Sequence, residues 1–187
     1  MMQTVNWLDG LDGLAAGVTA IAALVLFVHS GFRLQPPQQS VSLLPLALAG
    51  ACLGYLPFNF APARLIMGGG AYVLGYALGA LAIIGGAKVA TVLLVMGIPI
   101  LDVAVLIVWR KLRGGRVDMG DRHHLHFRLY DMGFSQRSIV LGYYAFSAAF
   151  GALALMLPAR QYKLLALAVL AAAALAIYAF TARRASQ

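Results

Sequence analysis

Residues 13–30 read GLAAGVTAIAALVLFVHS, eighteen positions without an Asp, Glu, Lys or Arg. An uncharged apolar run of this length matches the ~20 helical residues needed to cross a bilayer core. Lipid offers no hydrogen bonds, so a single spanning segment must satisfy its own backbone as a helix. Comparable windows recur near 41–57, 69–87, 89–108, 138–157 and 162–181. They predict an all-α fold, a polytopic membrane bundle of about six transmembrane helices, with residues 1–187 as a single membrane domain. Composition agrees: 62% of residues are hydrophobic and only 11% charged, too few polar groups to cover a soluble domain.

Gly and Ala recur inside these windows, as in GYALGALAIIGG and FSAAFGALAL, which favours close helix packing in lipid. Pro99 is expected to kink the fourth span. The one cysteine, Cys52, lies in an apolar run and reads as a small buried hydrophobe. No basic residue precedes Arg33, so the first span lacks the flank of a cleavable signal peptide and is expected to remain in the chain.

Six spans would place the N-terminus, the 58–68 and 109–137 loops and the C-terminal tail on one side. That side would carry ten Lys and Arg (Arg64, Arg110, Lys111, Arg113, Arg116, Arg122, Arg128, Arg137, Arg183, Arg184) against four (Arg33, Lys88, Arg160, Lys163). By the positive-inside rule the crowded side is cytoplasmic. The net charge of +8 is explained by this topology and by anionic lipid, and no nucleic-acid partner is expected. There is no glutamate. Asp9, Asp12, Asp118, Asp121 and Asp131 fall on the same side, and Asp102 lies just below that face.

Four motifs carry the polar chemistry. NWLDGLDGLAAG (6–17) sets two aspartates three apart, each followed by Gly, before a membrane helix. Helix N-capping accounts for one such Asp but not for the doubled pair. GYLPFNFAPARLIMGGGAY (54–72) holds Asn59 between Pro57 and Pro62, then three glycines. These either present N–H groups to phosphate or simply pack. PILD (99–102) puts a carboxylate inside a span, either at a functional position or paired with Arg110 or Lys111. RGGRVDMGDRHHLHFRLYDMG (113–133) holds three of the four histidines. Zinc is disfavoured there, because H-x-H without Cys or Glu is a poor signature. Imidazole beside guanidinium suits pyrophosphate.

In this order, NWLDGLDGLAAG, LPFNFAPARLIMG, PILD and DRHHLHFRLYDMGFS resemble the polyprenyl-phosphate N-acetylhexosamine-1-phosphate transferase family. The HLH form is similar to its GlcNAc-1-phosphate branch. The resemblance implies transfer of a sugar-1-phosphate from a UDP-sugar to undecaprenyl phosphate, with loss of UMP, to start cell-envelope polysaccharide synthesis. It implies Mg2+ as cofactor and a bacterial inner-membrane location with the site facing the cytoplasm. It assigns Asp9, Asp12, His124 and His126 to catalysis, and Asn6, Asn59, Arg122 and Arg128 to substrate binding. Membrane lipid, a homodimer or a partner N-terminal half are the implied partners.

Two departures from the family pattern follow. A metal-binding aspartate is expected where Gly69 stands, and several earlier spans with an aspartate pair are expected ahead of the Asp-Gly motif. The chain therefore resembles the C-terminal part of a larger transferase. The alternative expectation is a catalytically inactive homologue that binds nucleotide sugar or lipid, or associates with a complete transferase.

Overall fold

A computed structural model describes residues 1–84, 89–112, 124–157, 161–163, 165–172 and 176, with side chains of 108–112 not described. The described residues are helical or in turns, and no strand occurs among them. The order is α1 (Met2–Leu8), α2 (Leu14–Val28), a π-helical turn (His29–Arg33), α3 (Gln39–Asn59), α4 (Gly70–Ile84), α5 (Val89–Val95), α6 (Gly97–Leu112), α7 (Leu125–Asp131) and α8 (Gln136–Met156). Residues 161–163 and 165–172 are also helical.

Three of the expected spans are present as helices long and apolar enough to cross a membrane: Leu14–Arg33, Gln39–Asn59 and Gln136–Met156. The expected 89–108 span is broken. α5 and the 97–107 part of α6 meet at 84°, and counting them as one gives a fourth. The cause is local: Pro99 has no N–H for the Val95 carbonyl, and its ring crowds that carbonyl. The 69–87 window is helical over Gly70–Ile84 and the 162–181 window over 162–163 and 165–172 among the described residues, and the rest of both lies largely outside the described ones. The chain is thus a multi-pass membrane helix bundle with three or four spans among the described residues, against the six expected.

Its axis is α2. The protein covers 78% of that span, against 22% of α3 and 33% of α8. Ala15, Ala16, Ala20, Ala22 and Ala23 are all buried, and these small side chains let α3, α4, α5 and α8 close around it. Gly17 makes the closest approach, since a Cβ there would overlap the Tyr144 ring of α8. Leu14, Val18 and Leu26 fill the remaining space, joined by Val5 of α1, Leu78 of α4 and Val95 of α5. Short helices α1 and α7 lie at the end of the bundle where α2 begins.

Candidate functional site

The Asp-Gly-Leu-Asp-Gly stretch forms the turn between α1 and α2. Asp9 is the C-cap of α1, and Gly13, at φ +83°, is the N-cap of α2. Neither aspartate caps a helix through its side chain. Asp12 reaches across instead, and its Oδ2 accepts the Ala63 N–H at 3.0 Å. The glycines are required by contacts within the protein. A Cβ on Gly10 would lie 2.5 Å from His126 Nε2 and 2.7 Å from Phe127 Cζ. Gly13 adopts a left-handed conformation that side chains resist.

Asn59 is the hub of the second motif. It is the last residue of α3, with Pro57 inside the helix, so the turn begins only at Phe60. Its Oδ1 accepts the Gly13 N–H at 3.1 Å and its Nδ2 donates to the Leu65 carbonyl at 2.9 Å. One buried amide therefore ties the 60–65 loop to the start of α2. Arg137 Nε fixes the same loop to α8 through the Ala61 carbonyl at 3.0 Å. Tyr144 donates its hydroxyl to the Gly13 carbonyl at 2.5 Å.

The first N–H groups of α4 turn back onto the loop that precedes it. Gly70, Ala71 and Tyr72 donate to the Met67, Gly68 and Gly69 carbonyls at 3.0–3.2 Å. These bonds leave the Gly70, Ala71 and Tyr72 N–H groups occupied within the protein. A Cβ at Gly69 would meet nothing within 4 Å.

The third and fourth motifs meet each other. Asp102, 4% exposed on α6, places Oδ2 2.7 Å from His124 Nδ1, and its Oδ1 accepts the Leu125 N–H at 2.8 Å. The α7 start is thereby anchored on an intramembrane carboxylate. An ionised carboxylate only accepts, so this contact places a proton on Nδ1 and leaves Nε2 as the variable position of His124. The His124 ring lies 5.9 Å from Trp7 and stacks on His126 at 5.5 Å.

His126 is fully buried, and neither ring nitrogen has a hydrogen-bond partner among the described residues. Burial holds its pKa down at about 4, with His124 adding to the effect and Asp102 opposing it. It is a neutral imidazole packed between His124, Phe127 and Gly10. Asp9 is half-buried, and burial, then the charge of Asp12, push its carboxyl up to about 6. An Asp9 carboxyl whose charge is disfavoured beside Asp12 forms a locus that a cation would relieve.

Of the expected site residues, Asp9, Asp12, Asn59, His124 and His126 therefore gather at one end of α2, joined by Asn6 on α1 and by Arg128 in the last turn of α7. Arg122 lies outside the described residues, as do His123, Asp118 and Asp121. Among the described residues no three His, Cys, Asp or Glu form a metal-binding group. Sequence reasoning missed Trp7, Gly10 as a contact for His126, Arg137 and Tyr144, and left Asp102 without its His124 partner.

Beside this cluster, an apolar cavity of about 360 Å³ opens between α3 and α4, lined by Cys52, Tyr55, Ile66, Met67, Gly70 and Leu74 among others. Tyr55 closes onto the same loop, donating to the Leu65 carbonyl at 3.1 Å.

Residues 1–86 match the model for glycosyl transferase family 4. That part of the chain is similar to this family. It is 37% identical over 178 residues to a decaprenyl-phosphate N-acetylglucosaminephosphotransferase of Mycolicibacterium smegmatis, covering 81% of this chain and 44% of the relative. It is 33% identical over 162 residues to a probable undecaprenyl-phosphate N-acetylglucosaminyl 1-phosphate transferase of Bacillus subtilis, covering 83% and 44%. With a phospho-N-acetylmuramoyl-pentapeptide-transferase of Desulforudis audaxviator it shares 39% over 147 residues, covering 76% and 42%. The chain spans less than half the length of each of these relatives.

Proposed function

We propose that this chain forms the nucleotide-sugar end of a transferase that moves GlcNAc-1-phosphate from a UDP-sugar to undecaprenyl phosphate. The reading rests on one observation above all: the Asp9–Asp12 turn, Asn59 and the His124–His126 pair converge at one end of α2. The names of the relatives support the class of reaction. In the reaction, an oxygen of the lipid phosphate attacks the sugar-bearing phosphorus. The bond from that phosphorus to UMP breaks, and a lipid pyrophosphoryl sugar forms.

The residues divide the work by their chemistry. His124, oriented by Asp102, directs Nε2 as an acceptor when neutral or a charge-assisted donor when protonated, suited to a phosphate or sugar oxygen. His126, neutral and enclosed, backs the His124 ring. Arg122 and Arg128 supply guanidinium groups for the diphosphate, and Asn6 and Asn59 contact the nucleotide. Asp9 and Asp12 would hold Mg2+, which takes one or two carboxylates and completes its shell with phosphate oxygens and water. That ion, when bound, would supply electrostatic screening of the phosphates. The cavity beside Tyr55 accepts the first isoprene units of the acceptor, in the plane of the bilayer. The site faces the cytoplasm of a bacterial plasma membrane, and the product starts an envelope polysaccharide. A homodimer or a partner N-terminal half completes the transferase.

One observation favours a second reading. Gly69, where the resemblance implies a metal-binding aspartate, leaves this chain a donor-binding homologue with little turnover. Titration calorimetry of the detergent-purified chain with UDP-GlcNAc and Mg2+ tests the shared core of both. His124→Ala and His126→Ala should weaken binding more than Arg113→Ala does, and equal losses would reduce the loop to a nonspecific basic patch. Turnover of UDP-GlcNAc with undecaprenyl phosphate then separates the readings. Activity of the unaltered chain supports the transferase, and activity gained only with Gly69→Asp supports the second.

A further inference from the structure

The turn between α1 and α2 meets its neighbours in sequence order. Trp7, in the last turn of α1, has its ring 5.9 Å from the His124 ring. Three residues on, Gly10 sits against His126 and Phe127. Three further, Gly13 donates its N–H to Asn59 and takes the Tyr144 hydroxyl on its carbonyl. Asp9 and Asp12 therefore stand between a Trp7–His124 end and an Asn59 end of one turn.

Metal, phosphate and nucleotide contacts leave Trp7 unused. It is half-buried, so the protein holds the indole yet keeps part of it open. Its neighbour His124 is buried and fixed by Asp102 at 2.7 Å. A flat apolar ring with one N–H, on a fixed support, suits a pyranose. The C–H groups of the sugar face meet the ring, and the N–H reaches a hydroxyl or acetamido oxygen. Uracil would also stack on indole, and position decides between them. A UDP-sugar is linear: base, diphosphate, sugar. With the base end at Asn59 and the diphosphate at the two aspartates, the sugar falls at Trp7.

We propose that Trp7 is a specificity-determining residue of the donor site, the platform on which the sugar of the UDP-sugar stacks. This role rests on the proposed donor-binding function and gives the hexosamine ring its own subsite. With the ring seated there, the adjoining His124 serves the oxygens where sugar meets phosphate. A tryptophan that only anchored α1 at the membrane interface would be indifferent to the sugar.

The test is titration calorimetry of the full chain in detergent with Mg2+, comparing UDP-GlcNAc with UDP, which share the base and diphosphate. Trp7→Ala should weaken UDP-GlcNAc about tenfold, the scale of one aromatic contact, and leave UDP within about twofold. Unchanged UDP binding also shows that the variant is folded. Trp7→Leu, apolar but without a flat ring, should lose the sugar contact likewise and tests it where Trp7→Ala disturbs α1. Trp7→Phe, which keeps a ring, should recover most of the loss. In a Trp109→Phe background Trp7 is the one remaining tryptophan, and UDP-GlcNAc should change its emission more than UDP does. Equal weakening of both probes by Trp7→Ala and Trp7→Leu, or of neither, would overturn the proposal and leave Trp7 a packing or interfacial residue. A wild type that binds neither probe would overturn the donor-binding function and this role with it. Wild-type binding of both keeps the two failures apart.

Discussion

At Gly13, α2 starts within a web of acids, amides and imidazoles that hold one another; at Arg33 it ends in a pocket lined by cations. Asn59 binds the Gly13 N–H, Asp12 binds the Ala63 N–H, and Asp102 binds both His124 and the Leu125 N–H. At the other end Lys163 donates to the Thr91 hydroxyl, beside a cavity whose lining residues include Arg33. Ionic groups in hydrocarbon are expensive and survive where they are matched. At the first end Asp102, Asn59 and Asp12 each hold a partner within the protein. The two ends should therefore respond differently to mutation: loss of one buried partner unpicks the first locally, whereas loss of the exposed Arg33 at the second should leave the fold intact.

The strongest break in this comparison is Asp102→Ala. It strands two buried donors, His124 Nδ1 and the Leu125 N–H, each at about 1–3 kcal/mol. Arg33→Gln, exposed at the opposite end, should stay within about 0.5 kcal/mol. Cys52 is the one cysteine and is buried. A thiol-reactive dye added during heating in detergent therefore reads unfolding of both variants on the same clock. Asp102→Ala should label many degrees earlier than the wild type. Equal midpoints for the two variants would remove the claim that the Asp102 pairings stabilise the α7 end.

Sequence alone carries the class of the fold and much of the site, but not its packing. The long apolar windows foretell α2, α3 and α8 because lipid forces them to be helical. The broken fourth span follows from Pro99. Which helix lies at the centre is hidden, since α2 and α3 have almost the same mean hydropathy, 1.9 and 1.8, yet bury 78% and 22% of their spans. Lipid and protein interior are equally apolar, so no moment distinguishes the face turned inward. α1 and α7, seven residues each, are too short for any hydropathy window. The Asp102–His124 pair joins residues 22 apart, and Tyr144 meets Gly13 across 131. Only the three-dimensional path of the chain brings such residues together. The motif residues themselves are legible because charge is rare here, so each acid or imidazole stands out.

A smaller effect separates two glycines of the motifs. Gly10→Ala would press its Cβ on His126 Nε2 and Phe127 Cζ, whereas Gly69→Ala meets open space. Overpacking of the first kind costs about 1–3 kcal/mol, and the second should be silent. The same thermal labelling of Cys52 compares them. Gly10→Ala should also weaken UDP-GlcNAc binding, because it pushes the His126 ring against His124. If the two variants melt together, the Gly10 contact with α7 is not a close one in solution.

The smallest effect isolates the Asp9–Asp12 pair, and its sign is fixed by the raised carboxyl. Asp9 has a folded pKa of about 6 against an ordinary value of 3.8. Its contribution to stability is present below 3.8, where both states are protonated, and is lost as pH rises through 6, where the folded state holds an unwelcome charge. Asp9→Asn removes that charge, so it should melt higher than the wild type above pH 6 and alike below pH 4. The carboxyl is only half-buried, and solvent screening keeps the gain under about 1 kcal/mol, or roughly 2–4 °C for a chain of this size. His126 runs the other way, with stability present above its ordinary 6.5 and lost as pH falls through about 4, and it is common to both proteins. Subtracting the two melting curves cancels it. Arg33→Gln gives the control from the opposite end, where any offset should be flat with pH. Mg2+ at pH 8 should then raise the melting point of the wild type and leave Asp9→Asn unmoved, since only the wild type offers the ion both carboxylates. An equal rise in both would place the ion elsewhere and remove Asp9 from the proposed metal site.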